Sequence, residues 1–285
     1  MISTSFDYKR ATSLDDALAK LHASKGRGKL IAGGHSLVPL MKLRLSEPGT
    51  LIDIARIPGL SGIGKKGDAI EIGAATVHHE VATSALLQQA CPMLAEAAAS
   101  IGDPQVRNRG TLGGSLAHAD PSADYPAAML ALDADIQIRG PKRSRVVKAH
   151  DFFRGLFTVD LAADEIIVGI QFKPVKCAAY AKLYQRASHF AIVGVAAALD
   201  VKNGTIQSAR IGVTGASSHA RRLSDVEHAL AGKPLSMRSI ESAARLAGAT
   251  LEDLNSDIHA SAEYRRAMVP VFTARALEQA LERAE

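Results

Sequence analysis

Cysteine is scarce in this chain of 285 residues: only Cys91 and Cys177 are present, and there is no CxxC motif. An iron–sulfur cluster or a zinc ion held by four cysteines of this chain is therefore excluded. A disulfide between the two cysteines stays open, but in a reducing compartment two free thiols are the expectation.

Tryptophan is absent and aromatic residues make up only 4% of the chain, while 34 basic and 29 acidic residues give a net charge of +5. Proteins that bind nucleic acid cluster their basic residues and interleave them with aromatic ones. Here the densest basic run, residues 142–145, follows a Gly-Pro pair and is typical of a solvated hairpin tip. We therefore expect no nucleic-acid binding, and only a general attraction to an anionic ligand or partner.

Long apolar runs are also missing. No stretch reaches the roughly 20 residues that span a bilayer, and residues 1–16 lack the apolar core of a secretory signal. The expected location is the cytoplasm, and a peripheral association with the inner face of the membrane is left open. With 47% apolar and 22% charged residues, the composition is that of a folded protein, with about two domains at ~150 residues each.

The order of the predicted elements divides the chain near residue 176. Ser13, with Asp16 three residues later, predicts a capping box at a helix start. That helix is followed by a strand at 29–32, a helix at 37–45 and a strand at 51–54. This order predicts a small α/β unit with parallel strands over about residues 1–56.

The rest of the chain has a mixed pattern. Residues 57–176 predict strands at 69–74 and 165–172, a hairpin at 135–139 and 145–147, and helix at 84–101, which Pro92 bends or breaks. Residues 177–285 predict an α+β domain with antiparallel strands at 178–186, 191–201 and 205–214, then helices at 225–231, 237–248 and 262–283. Asn203-Gly204 is a strong hairpin signal, and Pro270 is expected to kink the last helix.

Two paired-glycine segments stand out at predicted turns. We call residues 32–36 (Ala-Gly-Gly-His-Ser) the first glycine segment and residues 111–115 (Thr-Leu-Gly-Gly-Ser) the second. Glycine lets a ligand approach the backbone, and successive N–H groups with serine hydroxyls form a concavity suited to a phosphate oxygen. Neither segment is a GxGxxG or GxxxxGK[ST] motif. One such turn is usually structural, but two about eighty residues apart predict one long ligand with two phosphates held from both sides.

The residues around both segments resemble a known family. Residues 32–44, AGGHSLVPLMKLR, are similar to the first FAD-pyrophosphate loop of the flavoprotein subunits of molybdenum hydroxylases, and residues 104–117, PQVRNRGTLGGSLA, to the second. The match continues through residues 120–128, DPSADYPAA. Within that family the chain looks like the medium subunit of aerobic carbon monoxide dehydrogenase, and xanthine dehydrogenase carries a similar domain.

The resemblance implies a fold and a domain organisation. Residues 1–176 would form a vanillyl-alcohol-oxidase-type FAD-binding domain, with subdomains at about 1–56 and 57–176. Residues 177–285 would form the family's α+β C-terminal domain, with a three-stranded antiparallel sheet and helices. This agrees with the boundary that the element order predicts.

The resemblance also implies noncovalent FAD, contacted by the following residues: Ala32, Gly33, Gly34, His35, Ser36, Thr111, Leu112, Gly113, Gly114, Ser115, Asp124, Lys182 and Phe190. Asp124 and Lys182 match a family acid and lysine near the flavin, where a cation would stabilise the anionic reduced ring. From the residues alone, a helix N-cap for Asp124 and a solvent-facing strand position for Lys182 stay open. Phe190 stands where carbon monoxide dehydrogenase has a tyrosine, so it can stack on the ring but cannot donate a hydrogen bond.

The histidines offer two further candidate sites. His35 is a candidate for covalent FAD, as in distant flavin oxidases, but the family resembled here holds its flavin noncovalently. His78 and His79 are adjacent, so on a strand their side chains would face opposite ways, and one neighbouring acid, Glu80, does not complete a metal site. We therefore expect no metal on this chain.

The function that the resemblance implies is that of an electron-transfer flavoprotein subunit of an oxidoreductase. A large molybdenum subunit would oxidise the substrate, and a small subunit would relay electrons through two [2Fe–2S] clusters to FAD and an external acceptor. The molybdenum cofactor and the clusters would belong to these partners, in a heterohexamer that is a dimer of heterotrimers. This chain would then need no catalytic residue, and no GxSxG or HExxH motif is present.

Two alternatives remain. The first is a free-standing FAD-dependent oxidase acting directly on a small organic substrate, for which His189 is the one visible acid–base candidate. The second is a binding protein that keeps the fold without flavin chemistry, which would be colourless when purified.

Overall fold

A computed structural model describes residues 2–284, and the first part of the chain forms a small parallel α/β unit. Its elements are β1 (Asp7–Arg10), α1 (Leu14–Ala23), β2 (Gly28–Ile31), α2 (Leu37–Lys42) and β3 (Thr50–Asp53). The strands are parallel in the order β1-β3-β2, which confirms the predicted strand–helix–strand unit. The sequence pattern does not predict β1. Its four residues, DYKR, are all exposed, so no row of buried apolar side chains marks the strand.

The second part is built on an antiparallel sheet. Its strands are β4 (Ile63–Lys66), β5 (Ala69–Gly73), β6 (Asp135–Arg139), β7 (Ser144–Lys148), β8 (Phe153–Gly155), β9 (Thr158–Val159) and β10 (Ile166–Phe172). Its helices are α3 (His78–Thr83), α4 (Ala85–Ala90), α5 (Pro92–Ala99), α6 (Pro104–Arg107), α7 (Leu112–His118), α8 (Tyr125–Leu132) and α9 (Ala149–Phe152). The five-stranded sheet has the order β4-β5-β10-β6-β7, with β8 and β9 paired apart from it. Pro92 breaks the predicted long helix, since it begins α5 directly after α4.

The third part is an antiparallel sheet with helices. Its elements are β11 (Ala178–Tyr184), β12 (Ala191–Lys202), β13 (Thr205–Thr214), β14 (Arg221–Arg222), α10 (Ser224–Leu230), α11 (Met237–Ala244) and α12 (Ala262–Leu281). The three long predicted strands are confirmed, and the two-residue β14 is added at the sheet edge. Asn203 and Gly204 make the expected hairpin turn with φ of +50° and +68°. α12 continues through Pro270 as one helix.

The β11–β13 sheet is buried on both faces. Ala178 and Tyr180 on β11 belong to the core shared by the first and second parts, whereas Ala179 and Ala181 belong to the core formed with the C-terminal helices. Because side chains alternate along a strand, each face serves a different core. A Cβ on Gly212 of β13 would collide with the backbone of α8, so the sheet and α8 are in direct contact.

Residues 173–177 connect β10 to β11, the place where the sequence predicts a domain boundary. Met1 and Glu285, the outer ends of the predicted domains, lie outside the described residues. Within residues 2–284, no helix is both long and apolar enough to cross a membrane.

Candidate functional site

The two glycine segments lie next to each other in space. Gly33 of the first segment packs on the backbone just before the second: a Cβ on Gly33 would collide with the carbonyl oxygen of Arg109 and lie 2.7 Å from the Cα of Gly110. Such a close approach of two backbones requires a residue without a side chain. The structure therefore brings together the two segments that the sequence assigns to one ligand.

The first glycine segment presents a run of unused backbone donors. It joins β2 to α2, and its residues are half-buried except for the exposed His35. Gly34 is left-handed, with φ of +74°. Within the part of the chain that the structure describes, the backbone N–H groups of Gly33, Gly34, His35 and Ser36 have no hydrogen-bond partner. Consecutive free N–H groups around a left-handed residue form a concavity that suits an anionic oxygen.

The second glycine segment lies at a helix start rather than in the predicted turn. Thr111 is the N-cap of α7, and its hydroxyl accepts a hydrogen bond from the N–H of Gly114 at 3.2 Å. The N–H groups of Leu112 and Gly113 donate to carbonyl oxygens of residues 76 and 74 at 3.0 and 2.8 Å. These amides are occupied because Gly113 packs directly against Ala74.

The groups that the second segment leaves available are few. Gly114 is exposed, and the hydroxyl of Ser115 has no partner among the described residues. The second segment can therefore offer a ligand a smooth glycine surface and one hydroxyl. The amide donors come mainly from the first segment, which the sequence alone does not distinguish from the second.

Asp124 and Lys182 form a buried ion pair where the second and third parts of the chain meet. Lys182 Nζ lies 2.7 Å from Asp124 Oδ1, and both side chains are only 5% exposed. The hydroxyl of Tyr180 donates to the same carboxylate oxygen at 2.6 Å, and Lys182 also donates to the carbonyl oxygen of Ser100 at 3.1 Å. Asp124 makes no capping hydrogen bond to α8, and Lys182 does not face solvent. Asp124 thus occupies the N-cap position of α8 without capping it through its side chain, and the solvent-facing alternative for Lys182 is wrong.

Burial controls the protonation of this cluster. It raises the pKa of Asp124, while the Lys182 cation and the Tyr180 hydroxyl oppose the rise. Burial and the adjacent Asp124 carboxylate raise the pKa of Tyr180 well above its usual value, so this hydroxyl keeps its proton and donates. The lysine charge is thus matched by a carboxylate inside the protein rather than by solvent.

Phe190 lies in the loop between β11 and β12, directly before β12. Its side chain is 48% exposed, and it lines a cavity of about 190 Å³ together with Gln185, Ser188 and Arg265. The cavity is also bordered by residues 120 and 122, between α7 and α8, which places Phe190 near the far end of the helix that carries the second segment. An exposed phenyl ring at this place is available to stack on a planar ligand.

His78 belongs to this region although the sequence pattern does not identify it. It is the first residue of α3, so His78 and His79 lie on a helix rather than on a strand. Its ring is buried, with Nδ1 3.1 Å from the Tyr125 hydroxyl. Burial, with smaller effects of His35 and Arg107, lowers the pKa of His78 to about 4. No local signal marks it, because its surroundings come from segments distant in sequence.

The described residues show no metal centre of their own. Among residues 2–284, no three or more His, Cys, Asp or Glu side chains are grouped to hold a metal ion. Cys91 and Cys177 are free thiols, and burial raises the pKa of Cys91 to about 12. Cys91 is therefore a packed apolar side chain rather than a reactive thiolate.

Comparison with known protein families gives two matches that cover nearly the whole chain. Residues 4–174 match the FAD binding domain in molybdopterin dehydrogenase. Residues 178–280 match the CO dehydrogenase flavoprotein C-terminal domain.

Comparison with individual proteins gives similarity over the full length. The chain is 38% identical over 286 residues to the carbon monoxide dehydrogenase medium chain of Hydrogenophaga pseudoflava, covering 99% of each chain. It is 39% identical over 284 residues to the 6-hydroxypseudooxynicotine dehydrogenase complex subunit alpha of Paenarthrobacter nicotinovorans, covering 98% of this chain and 96% of the relative. Its fold matches a solved structure of carbon monoxide dehydrogenase from Hydrogenophaga pseudoflava with a TM-score of 0.94 and 40% identity, covering 99% of each chain.

Proposed function

The chain belongs to the family of FAD-binding flavoprotein subunits of molybdenum-containing dehydrogenases, and we propose that it is the electron-transfer subunit of one such complex. In this function it receives electrons from the [2Fe–2S] clusters of a partner subunit and passes them to an external acceptor. The relatives are medium or alpha subunits of complexes with different substrates, so the reaction of the complex is decided by other subunits.

The observation that carries this proposal is the run of free N–H groups at Gly33, Gly34, His35 and Ser36. A pyrophosphate needs several donors converging on its oxygens without side chains in the way, and this run fits that need. FAD, when bound, supplies the redox chemistry, because a flavin can take up single electrons from iron–sulfur clusters and pass on one or two electrons to an acceptor. The protein supplies binding, orientation and the charges around the ring.

We assign the remaining contacts as follows. Residues Thr111 to Ser115 border the pyrophosphate from the second segment, and Ala32 borders it from the first. We place the Asp124–Lys182 pair beside the flavin because these residues match the family acid and lysine there; in the structure the two charges are buried against each other. Phe190 covers the ring by stacking, which its 48% exposure supports. The domain boundary is placed near residue 176, between β10 and β11.

A division of labour with other subunits fits this chain's own residues. Two cysteines cannot hold the clusters, and the part described by the structure groups no ligands for a metal. We therefore propose that a small [2Fe–2S] subunit and a large molybdenum subunit carry those groups, in a dimer of heterotrimers. We place the complex in the cytoplasm, which the two free thiols fit.

We expect the purified chain to bind FAD noncovalently. Acid or heat precipitation should release the flavin into the supernatant, where its oxidised absorption spectrum is recorded, because hydrogen bonds from backbone amides are lost on unfolding. A washed pellet that stays yellow would instead show covalent attachment, through His35 or another residue. Protein that takes up no FAD, even together with its partners, would contradict the proposed function.

We also expect the isolated FAD-loaded chain to be inert toward oxidisable substrates. Stopped-flow mixing with aldehydes, N-heterocycles or carbon monoxide should leave the flavin absorbance unchanged, because this chain lacks the groups that oxidise them. Adding a reduced iron–sulfur subunit that docks on the chain should bleach it. Rapid bleaching by a substrate alone would favour a free-standing oxidase.

A further inference from the structure

Gly110, directly before the second glycine segment, packs against both Gly33 and the ring of His78. On one side, the Cβ position of Gly33 is 2.7 Å from the Cα of Gly110. On the other side lies the ring of His78, since a Cβ on Gly110 would be 2.5 Å from its Nε2. The backbone N–H of His78 also donates to the carbonyl oxygen of Gly110 at 2.9 Å. The buried ring of His78 therefore packs against Gly110, the residue that contacts Gly33 of the first segment.

The ring of His78 is fixed in orientation and charge. Burial raises the pKa of Tyr125 well above its usual value, so the Tyr125 hydroxyl keeps its proton, and it shares a hydrogen bond with His78 Nδ1 at 3.1 Å. Burial, aided by His35 of the first segment and Arg107 of α6, lowers the pKa of His78 to about 4. The ring is neutral near pH 7, and the hydrogen bond at Nδ1 holds its Nε2 edge toward Gly110.

We propose that His78 is a positioning residue of the dinucleotide site: its imidazole, oriented by Tyr125, sets the place of Gly110 and thereby the spacing between the two glycine segments. The inference rests on the proposed function, since FAD is the ligand that the segments share. His78 lies in neither glycine segment and is contributed to the site by α3.

The physical reason is the short range of the contacts involved. Hydrogen bonds to a phosphate oxygen keep their strength only within a few tenths of an ångström of about 2.9 Å. Gly33 carries the first of the free N–H groups and rests on Gly110. A displacement of Gly110 is therefore passed on to the donors of the first segment without any change in their own sequence.

A double-mutant cycle tests the contact between His78 and Gly110. Gly110→Ala should weaken FAD binding about tenfold or more, because the new methyl group meets Nε2 and pushes the backbone toward Gly33. His78→Asn alone should also weaken binding, because it leaves Gly110 unsupported. The double variant should bind FAD several-fold more tightly than Gly110→Ala, because the shorter side chain makes room for the methyl group. FAD affinity is measured by flavin-fluorescence titration.

The neighbouring His79 provides a matched control, because it is exposed on the same helix. His79→Asn should leave FAD affinity unchanged, alone or combined with Gly110→Ala. Tyr125→Phe removes only the hydroxyl that orients the ring and should give an intermediate loss, which keeps the test open if His78→Asn folds poorly. The unfolding midpoints of all apo variants are recorded in parallel.

The outcomes separate this inference from the proposed function. A natural chain that binds no FAD contradicts the proposed function. A natural chain that binds FAD, with variants whose losses simply add or with His78→Asn binding normally, contradicts only the role of His78. Rescue of Gly110→Ala by His78→Asn, and not by His79→Asn, supports it.

Discussion

Replacing Gly34 by valine is expected to abolish FAD binding at micromolar protein, with a loss of affinity of about a hundredfold or more. Gly34 has φ of +74°, and its Cβ would lie 3.2 Å from a methyl group of Val38. A β-branched residue in this left-handed conformation is strained by roughly 1–3 kcal/mol. The segment can relieve the strain only by leaving the conformation that aligns its free N–H groups. Titration of the apo variant with FAD measures the loss.

Gly67 offers a matched control for this variant. It has φ of +64° in the turn between β4 and β5, with nothing within 4 Å of its Cβ position. Gly67→Val should lower the melting temperature through similar strain but leave FAD affinity unchanged. Gly114→Val, whose Cβ would lie 2.7 Å from the N-cap hydroxyl of Thr111, should weaken FAD binding as well. Normal FAD affinity in both Gly34→Val and Gly114→Val would show that these glycines have only a structural role.

Removing one partner of the buried Asp124–Lys182 pair should be strongly destabilising. Lys182→Met leaves the Asp124 carboxylate buried with only the Tyr180 hydroxyl as a side-chain partner. A buried charge left without its counter-ion costs about 3–5 kcal/mol in the free energy of unfolding. Chemical denaturation of the apo variant measures this cost. The double variant Asp124→Asn/Lys182→Met should recover much of it, because no unpaired charge remains.

The exposed pair of Lys66 and Glu71 provides the comparison. These side chains are 63% and 35% exposed and lie 2.8 Å apart, so Lys66→Met should cost less than about 1 kcal/mol. Equal costs for Lys182→Met and Lys66→Met would mean that water or a rearrangement compensates the buried carboxylate. The pair could then not be treated as a fixed charge unit beside the flavin.

The parts of the fold that could be predicted from the sequence are those with local patterns. The long strands β10, β12 and β13 and the hairpin turn at Asn203-Gly204 follow from apolar runs and turn residues. β1 could not be predicted, since Asp7–Arg10 is exposed at every position and is a strand only because it pairs with β3. The break in the helical stretch 84–101 was foreseeable from Pro92, although its form as separate helices α4 and α5 was not.

The candidate site also has features that could be predicted from the sequence and features that could not. Both glycine segments are visible as paired glycines with a nearby hydroxyl, and they carry the family resemblance. Their different hydrogen bonding is invisible in the sequence, because the amides of Leu112 and Gly113 are taken by residues 74–76 of another strand end. The pairing of Asp124 with Lys182, and the place of His78 behind Gly110, likewise join groups far apart along the chain.

The sequence by itself therefore determined the family, the FAD-binding character of the chain and the residues of the two glycine segments, because these depend on local backbone requirements that only a few residue types meet. Only the tertiary structure decided which amides stay free, which charges are buried together and which histidine supports the site. The physical reason is that burial and hydrogen-bond partnership are properties of pairs of residues brought together by folding. The amino-acid sequence contains both members of such a pair but does not show that folding brings them into contact.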